Sequence, residues 1–208
     1  MATALDRRNE LIQHYVQAKN WVRCSPFVRE VEWQNSLRAN FTETEFLREY
    51  AWVVLNSGFR EAIIRKHFSY ISLCFCDWES ASAIVLHSET CVSCATSAFG
   101  NKRKLWALVE TARAIENEGF EALQKRIQTD TISAFESLPF IGATTKFHLA
   151  KNLGLDVAKP DRHLLRLAER FGYSDVQKMC RDIFEYCGDK VAVADLVLWR
   201  FEERTYAQ

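Results

Sequence analysis

A tight turn followed by a carboxylate is the part of this sequence whose residue types and spacing could do chemistry. Pro139 and Gly142 flank a turn between two apolar-periodic runs, and Gly154 ends the second run. Backbone N–H groups at such a turn, at the start of a helix, suit a phosphate. Pro160 restricts the loop before Asp161, which opens a further helix. A carboxylate 19 residues after Gly142 could therefore face a sugar beside that phosphate.

This window resembles the helix-hairpin-helix (HhH-GPD) DNA glycosylases of the endonuclease III type. In that family a hairpin close to L-P-G-[IV]-G precedes a Gly/Pro-containing loop with an essential Asp at a helix start of the form D-x-H. Here the hairpin is 138–142 (LPFIG), and the loop and helix start are 159–163 (KPDRH). The clear match covers residues 130–172, and a weaker one extends to the neighbouring helical runs.

The resemblance implies an all-α fold of two lobes with a base pocket between them, acting on double-stranded DNA that carries a damaged or modified base. Asp161 is then the catalytic residue. Breaking an N-glycosidic bond builds positive charge on the sugar, which a carboxylate stabilises while it orients or deprotonates the attacking water. Asp161 is equally suited to cap a helix, and both roles can hold together. The DNA-binding residues implied are Phe140, Ile141, Gly142, Thr144, Lys146, Lys159, Arg162 and His163.

Two departures from the family pattern bear on mechanism. Phe140 replaces the first hairpin glycine and narrows the allowed backbone geometry. Bifunctional members carry a nucleophilic lysine two residues after the last hairpin glycine, where this chain has Thr144. Lys146 should point away from it, by about 200° around the helix. We therefore expect a monofunctional enzyme that uses water. The alternatives are a bifunctional glycosylase/lyase using Lys146, or a non-catalytic helix-hairpin-helix DNA-binding or accessory protein.

Base flipping needs a side chain that fills the gap left in the stack and aromatic walls that hold the extruded base. By the resemblance, the break after the helix that ends near Leu55 supplies the filler. Each candidate can also be an ordinary core or helix-break residue. The candidates are Asn56 and Phe59 as plugs, Arg60 near the DNA backbone, and Trp52 and Trp199 as pocket walls.

Composition narrows the class of protein. A hydrophobic fraction of 48% with seven glycines in 208 residues argues against disorder. The first residues contain no apolar leader and no run approaches a membrane span, so we expect a cytoplasmic protein that binds no membrane, nucleoid-associated in a bacterium or nuclear in a eukaryote. We also expect a monomer. The net charge of zero is unusual for a DNA-binding protein. Basic residues are nevertheless concentrated at 102–104 and 142–170. They can form a stripe that binds phosphates, or they can be the solvated faces of surface helices. They are Lys102, Arg103, Lys104, Lys146, Lys151, Lys159, Arg162, Arg166 and Arg170.

Seven cysteines without a secretory leader are expected to be reduced thiols. No cysteine follows Cys187, so the C-terminal iron–sulfur cluster of some family members cannot form. A zinc site at Cys91 and Cys94 would need two more ligands, and His87 is the one close candidate. We expect no cofactor, with a monovalent cation at the hairpin as the one alternative.

The chain reads as nearly all helix. Helical runs are predicted at 45–55, 59–68, 101–117, 129–138, 174–187 and 191–203, from apolar periodicity and from residues that begin or end a helix. These residues are the capping box Thr42 and Glu45, the cap Ser174-Asp175, and the stops Gly119 and Gly188. The segment 83–86 is ambiguous between helix and strand. The predicted organisation is an N-terminal segment 1–39 that packs with the C-terminal lobe, a central bundle 40–137, the hairpin and Asp loop 138–163, and C-terminal helices 164–208.

Overall fold

The computed structural model describes residues 4–204, so the outermost parts of the predicted segments 1–39 and 164–208 lie outside the described residues. Within this range the protein is all-α, with thirteen α-helices, one 3₁₀ turn and no β-strand. The helices are α1 (Ala4–Arg23), α2 (Val28–Ser36), α3 (Glu43–Asn56), α4 (Glu61–Cys74), α5 (Ala81–Leu86), α6 (Ser88–Thr96), α7 (Lys102–Glu118), α8 (Phe120–Thr129), α9 (Thr131–Glu136), α10 (Thr145–Asn152), α11 (Arg162–Arg170), α12 (Val176–Cys187) and α13 (Val191–Glu203).

The chain forms two compact units. The terminal unit combines the described residues of Met1–Ala39 and Gly154–Gln208, and the central unit is Asn40–Leu153. The chain thus leaves the terminal unit after Ala39 and returns to it at Gly154. The central unit extends beyond residue 137, because α9, the hairpin and α10 pack with α3 and α8.

Local sequence signals set the ends of the helices in the central unit. Thr42 and Glu45 form a capping box at the start of α3, in which each side chain accepts from the other residue's backbone N–H. Asn101 caps α7, whose apolar stripe packs against α3, α5 and α6, and Gly119 ends it with a φ of 83°. Glycine suits this position because it has no Cβ to clash at positive φ.

The ambiguous segment 83–86 lies in helix α5, which the side chain of Ser80 caps at the backbone N–H of Ala83. A left-handed turn precedes it, with φ values of 54°, 49° and 64° at Cys76, Asp77 and Trp78. Burial of the Trp78 indole, which donates to Ser72 Oγ at 2.8 Å, stabilises this turn in the core.

In the terminal unit, α1 packs against α12 and α13 around an apolar core. Asp175 caps α12 at the N–H of Gln177, and Gly188 ends that helix in the left-handed conformation. The guanidinium of Arg200 donates to both carboxylate oxygens of Glu30, at 2.8 and 2.9 Å, which fastens α13 to α2. This unit holds the loop that carries Asp161.

Candidate functional site

The hairpin is a tight turn in the central unit between α9 and α10. The N–H of Ile141 donates to Leu138 O at 3.1 Å, and the N–H of Gly142 donates to Thr145 Oγ1 at 2.7 Å. These bonds use donors of the turn itself, so its shape is fixed locally.

Two consecutive residues of α3 fasten the hairpin segment to the central unit. The Tyr50 hydroxyl donates to Pro139 O at 2.9 Å, and burial raises the pKa of Tyr50, which keeps this hydroxyl protonated. The Glu49 carboxylate accepts from the Asn152 side-chain amide at 2.8 Å. One bond lies before α10 and the other at its last residue, so α3 holds both ends of this segment.

Phe140 occupies a left-handed backbone conformation, with a φ of 60°. This conformation costs an L-residue about 1–2 kcal/mol, a cost that glycine avoids. Phe140 is therefore the position in this turn where the backbone favours glycine. Gly142 has no positive φ, and a Cβ there would meet nothing within 4 Å. The Phe140 side chain is 40% exposed, so core packing does not offset the strain.

The N-terminus of α10 presents open hydrogen-bond donors. The N–H groups of Ala143, Thr144 and Thr145 donate to no acceptor within residues 4–204, because they precede the first intrahelical bonds. The predicted DNA-binding residue Ile141 is only 7% exposed, so its backbone alone is available for contacts. The carbonyls of Phe140 and Ile141 accept no bond in the same range, and carbonyl oxygens are the ligands that the alternative of a monovalent cation at the hairpin would need.

Lys146 is paired with an acidic residue across the hairpin. Its ammonium lies 2.5 Å from Glu136 Oε1 and 5.3 Å from the centre of the Phe147 ring. The carboxylate balances the charge that Lys146 would bring to a phosphate. Lys151, a second member of the predicted basic stripe, is buried. The stripe is therefore narrower than the sequence predicted.

The predicted plug segment follows α3. The Asn56 amide donates back to Trp52 O at 2.8 Å, within its own helix, so it turns away from solvent. Phe59 is 43% exposed and its ring centre lies 5.1 Å from that of Phe99. Arg60 is exposed at the N-cap of α4. Of the two predicted plugs, Phe59 rather than Asn56 is therefore the one that reaches outward.

The two predicted pocket tryptophans belong to different units. Trp52 on α3 packs its ring edge-on against Phe68 at 5.0 Å in the central unit. Trp199 on α13 is half-buried in the terminal unit, with the Arg200 guanidinium 4.4 Å from its ring centre. Both rings already have packing partners, and their role as pocket walls stays a prediction.

Lys104 corrects one expectation. The sequence grouped it with Lys102 and Arg103 as a surface cluster, but its side chain is only 4% exposed. The ammonium donates to Val54 O at 2.6 Å and to Ser57 O, the last carbonyls of α3. Burial lowers the pKa of Lys104 to about 8. Lys104 lies four residues before Leu108, on the apolar stripe of α7. This spacing is the sequence signal that could have predicted its inward position.

The same ammonium contacts both predicted DNA-contacting segments. Lys104 Nζ lies 4.9 Å from the ring centre of Phe59 and 5.9 Å from that of Phe140. Cation–π attraction favours both contacts. Lys104 therefore brings the plug segment and the hairpin to one place in the central unit.

Asp161 caps helix α11 in the terminal unit. Its Oδ1 accepts from the N–H groups of His163 and Leu164, at 2.9 and 3.0 Å. Oδ2 accepts no hydrogen bond from any described residue, and Asp161 is partly exposed. The neighbouring Arg162 is exposed and donates from Nε to His163 Nε2 at 3.2 Å. The cap thus occupies one carboxylate oxygen and leaves the other for a ligand.

Gln177 and Asp195, which the sequence did not single out, hold the loop before Asp161 in place. The side-chain amide of Gln177 bonds both to the N–H of Ala158, at 2.9 Å, and to its carbonyl. The carboxylate of Asp195, only 2% exposed, accepts from the N–H of Lys159. A three-residue turn then closes with Asp161 N–H donating to Lys159 O at 2.8 Å. These bonds fix the backbone that presents the Asp161 carboxylate.

The cysteines form no metal site in the part of the chain that the structure describes, where no three His, Cys, Asp or Glu side chains are arranged to hold an ion. Burial raises the pKa of Cys91 to about 12, so this thiol stays protonated at neutral pH. Among residues 4–204, no helix is both long enough and apolar enough to cross a membrane. No protein-family model matches the sequence, and no solved structure matches the chain.

Proposed function

We propose that this protein is a DNA base-excision glycosylase that flips a damaged or modified base and hydrolyses its N-glycosidic bond. The observation that carries the proposal is the Asp161 carboxylate, with Oδ1 engaged in capping α11 and Oδ2 open, at the end of a braced loop. A carboxylate with one open oxygen is the kind of group that can stabilise the positive charge which this reaction builds on the sugar.

In this reaction the bond between the sugar C1′ and the base nitrogen breaks, and the base leaves with the electron pair. Asp161 stabilises the positive charge that develops on the sugar. A water molecule attacks C1′, the new C–O bond forms, and its proton passes to the carboxylate. The departing base takes up a proton from solvent. The product is an abasic site in an uncut strand.

The hairpin supports the DNA-binding half of the proposal. Three adjacent N–H groups, from Ala143 to Thr145, lie open at the start of α10, and their dipoles attract a phosphate oxygen. These groups carry no sequence information, so they would position the backbone rather than read bases. The hairpin belongs to the central unit and Asp161 to the terminal unit.

Water rather than an amine is the proposed nucleophile. Thr144 carries no amine, and the ammonium of Lys146 is engaged by Glu136 at 2.5 Å. A Schiff-base lysine must reach the sugar, and the ion pair holds the Lys146 side chain at Glu136 instead. These two features favour the monofunctional mechanism over the lyase alternative.

The direct test is a panel of duplexes that each carry one oxidised, alkylated, deaminated or hypermodified base, incubated with the full-length protein. We expect strand breaks at the modified position of at least one duplex, and only after heating with alkali, which cleaves abasic sites. Tight binding to DNA with no base released from any duplex would replace this proposal with the non-catalytic helix-hairpin-helix protein.

A further inference from the structure

Phe140 combines backbone strain with exposure. Its φ of 60° lies in the region that favours glycine, yet its ring is 40% exposed and gains little from the core. Strained backbone at an exposed side chain concentrates where that side chain serves a function. The strain therefore makes the Phe140 ring a candidate for contact with a ligand.

A second exposed ring lies at the same place. Phe59 is 43% exposed, and both rings contact the ammonium of Lys104, at 4.9 and 5.9 Å. The ammonium is itself fixed by the last carbonyls of α3. The rings of Phe59 and Phe140, which we name the aromatic pair, thus both lie beside this one ammonium, although 81 residues separate them in the chain.

The surroundings of the aromatic pair indicate what it contacts. The three open N–H groups of 143–145 begin three residues after Phe140, and the exposed Arg60 directly follows Phe59. A ligand that matches both features has flat aromatic faces and negative charge. An apolar protein segment carries no negative charge to match the guanidinium and the dipoles of these N–H groups. A nucleic acid with an unstacked base satisfies all of them.

We propose that Phe140 and Phe59 stack on an unpaired nucleobase of the bound DNA, and that Lys104 is the positioning residue that holds the two rings together. This inference rests on the proposed function, because it takes DNA as the ligand. It adds that the protein recognises an unpaired base through Phe140, at a position where glycine would adopt the backbone conformation without strain. We therefore predict that the protein binds DNA with an unpaired base more tightly than fully paired DNA.

Phe140→Gly separates the two roles of this residue, because it removes the ring and also relieves the strain. The probe is a duplex with 2-aminopurine opposite a stable abasic-site analogue, compared with the same duplex fully paired. We expect Phe140→Gly to bind the abasic duplex about tenfold more weakly and the paired duplex within about twofold, since base stacking on one aromatic ring is worth about that factor. The melting temperature should not fall. Phe140→Tyr, which keeps the ring, is the matched control and should bind like wild type.

Lys104→Met tests the support, since it removes the ammonium and leaves both rings. We expect it to lose most of the preference for the abasic duplex and most of the change in 2-aminopurine fluorescence. Its helical circular dichroism should match wild type, which shows that the variant is folded.

The outcomes separate this inference from the proposed function. If wild type releases a base and Phe140→Gly keeps the full preference for the abasic duplex, the inference is wrong and the glycosylase proposal stands. If wild type binds no DNA, both are wrong. If Phe140→Gly instead converts a dimer to a monomer in sedimentation, with DNA binding unchanged, the aromatic pair contacts a second copy and the inference is again wrong.

Discussion

The side chain of Gln177 reaches from α12 to the backbone of Ala158 and bonds to it twice. Ala158 N–H donates to Gln177 Oε1 at 2.9 Å, and Gln177 Nε2 donates to Ala158 O. These two hydrogen bonds have the pattern of bonds between two paired backbone segments, and they hold the loop that ends at Asp161. Nothing else about Gln177 suggests a part in chemistry, so its effect on the reaction must act through the loop.

Gln177→Met should lower kcat for base release by about tenfold or more, because a small displacement of a catalytic group has effects of that size. DNA affinity should change less, since the hairpin is untouched. The variant should lose roughly 1–3 kcal/mol of unfolding free energy through the two unpaired backbone groups. Single-turnover kinetics and urea denaturation measure these quantities.

The control is Gln124→Met, which removes a comparable bond from Gln124 Nε2 to Phe41 O in the central unit. It should lose stability and keep kcat. Equal losses of kcat in the two variants would contradict a positioning role for Gln177.

The buried Lys104 predicts a pH dependence of stability. Burial lowers its pKa from 10.5 to about 8 in the folded protein. Between these values the unfolded chain binds the proton that the folded chain has released, so unfolding free energy gains a contribution that rises with pH, at most about 1.4 kcal/mol per pH unit. Below pH 8 both states are charged and the contribution is flat.

Urea denaturation at pH 7, 8.5 and 9.5, with Lys104→Met as the reference, isolates this contribution. Burial raises the pKa of Cys91 and Tyr15, which gives slopes of the opposite sign at alkaline pH, and these are common to both proteins. We expect the wild type to gain stability relative to the variant as pH rises. A constant difference would show that Lys104 keeps an ordinary pKa.

Helix ends were predictable where one or two neighbouring residues decide them. The capping box of Thr42 and Glu45, the cap at Asp175 and the glycine stops at 119 and 188 act within a single turn, and the structure confirms them. The sequence also suggested that Asp161 could cap a helix, which the structure confirms.

What the sequence missed depends on residues far apart in the chain. Gln177 is 19 residues from Ala158, and Asp195 is 36 from Lys159, so no local pattern links them to the Asp161 loop. Lys104 was read by its charge as a surface residue, although its helical position faces the core. At Phe140 the sequence predicted restricted backbone geometry, but not that the ring would be exposed.

Strand cleavage separates the two proposed mechanisms. We expect little covalent adduct when borohydride is added during turnover on the preferred substrate, because the ion pair with Glu136 keeps the Lys146 amine away from the sugar. Lys146→Gln should release the base at a rate within a few fold of wild type. A strong adduct that disappears in Lys146→Gln would make Lys146 the nucleophile and the enzyme a lyase.

The central claim is that the Asp161 carboxylate carries the chemistry, and Asp161→Asn tests it most directly. Asn keeps an oxygen that can accept from His163 and Leu164 N–H, so the cap on α11 and the fold should survive while the charge is lost. Asp175→Asn makes the same change at the cap of α12 and is the matched control. The measurement is single-turnover base release beside DNA affinity for all three proteins. The account predicts that Asp161→Asn loses at least about 100-fold in rate, in line with electrostatic catalysts, with affinity within a few fold, while Asp175→Asn matches wild type. Wild-type turnover in Asp161→Asn would contradict it and leave Asp161 as a helix cap only.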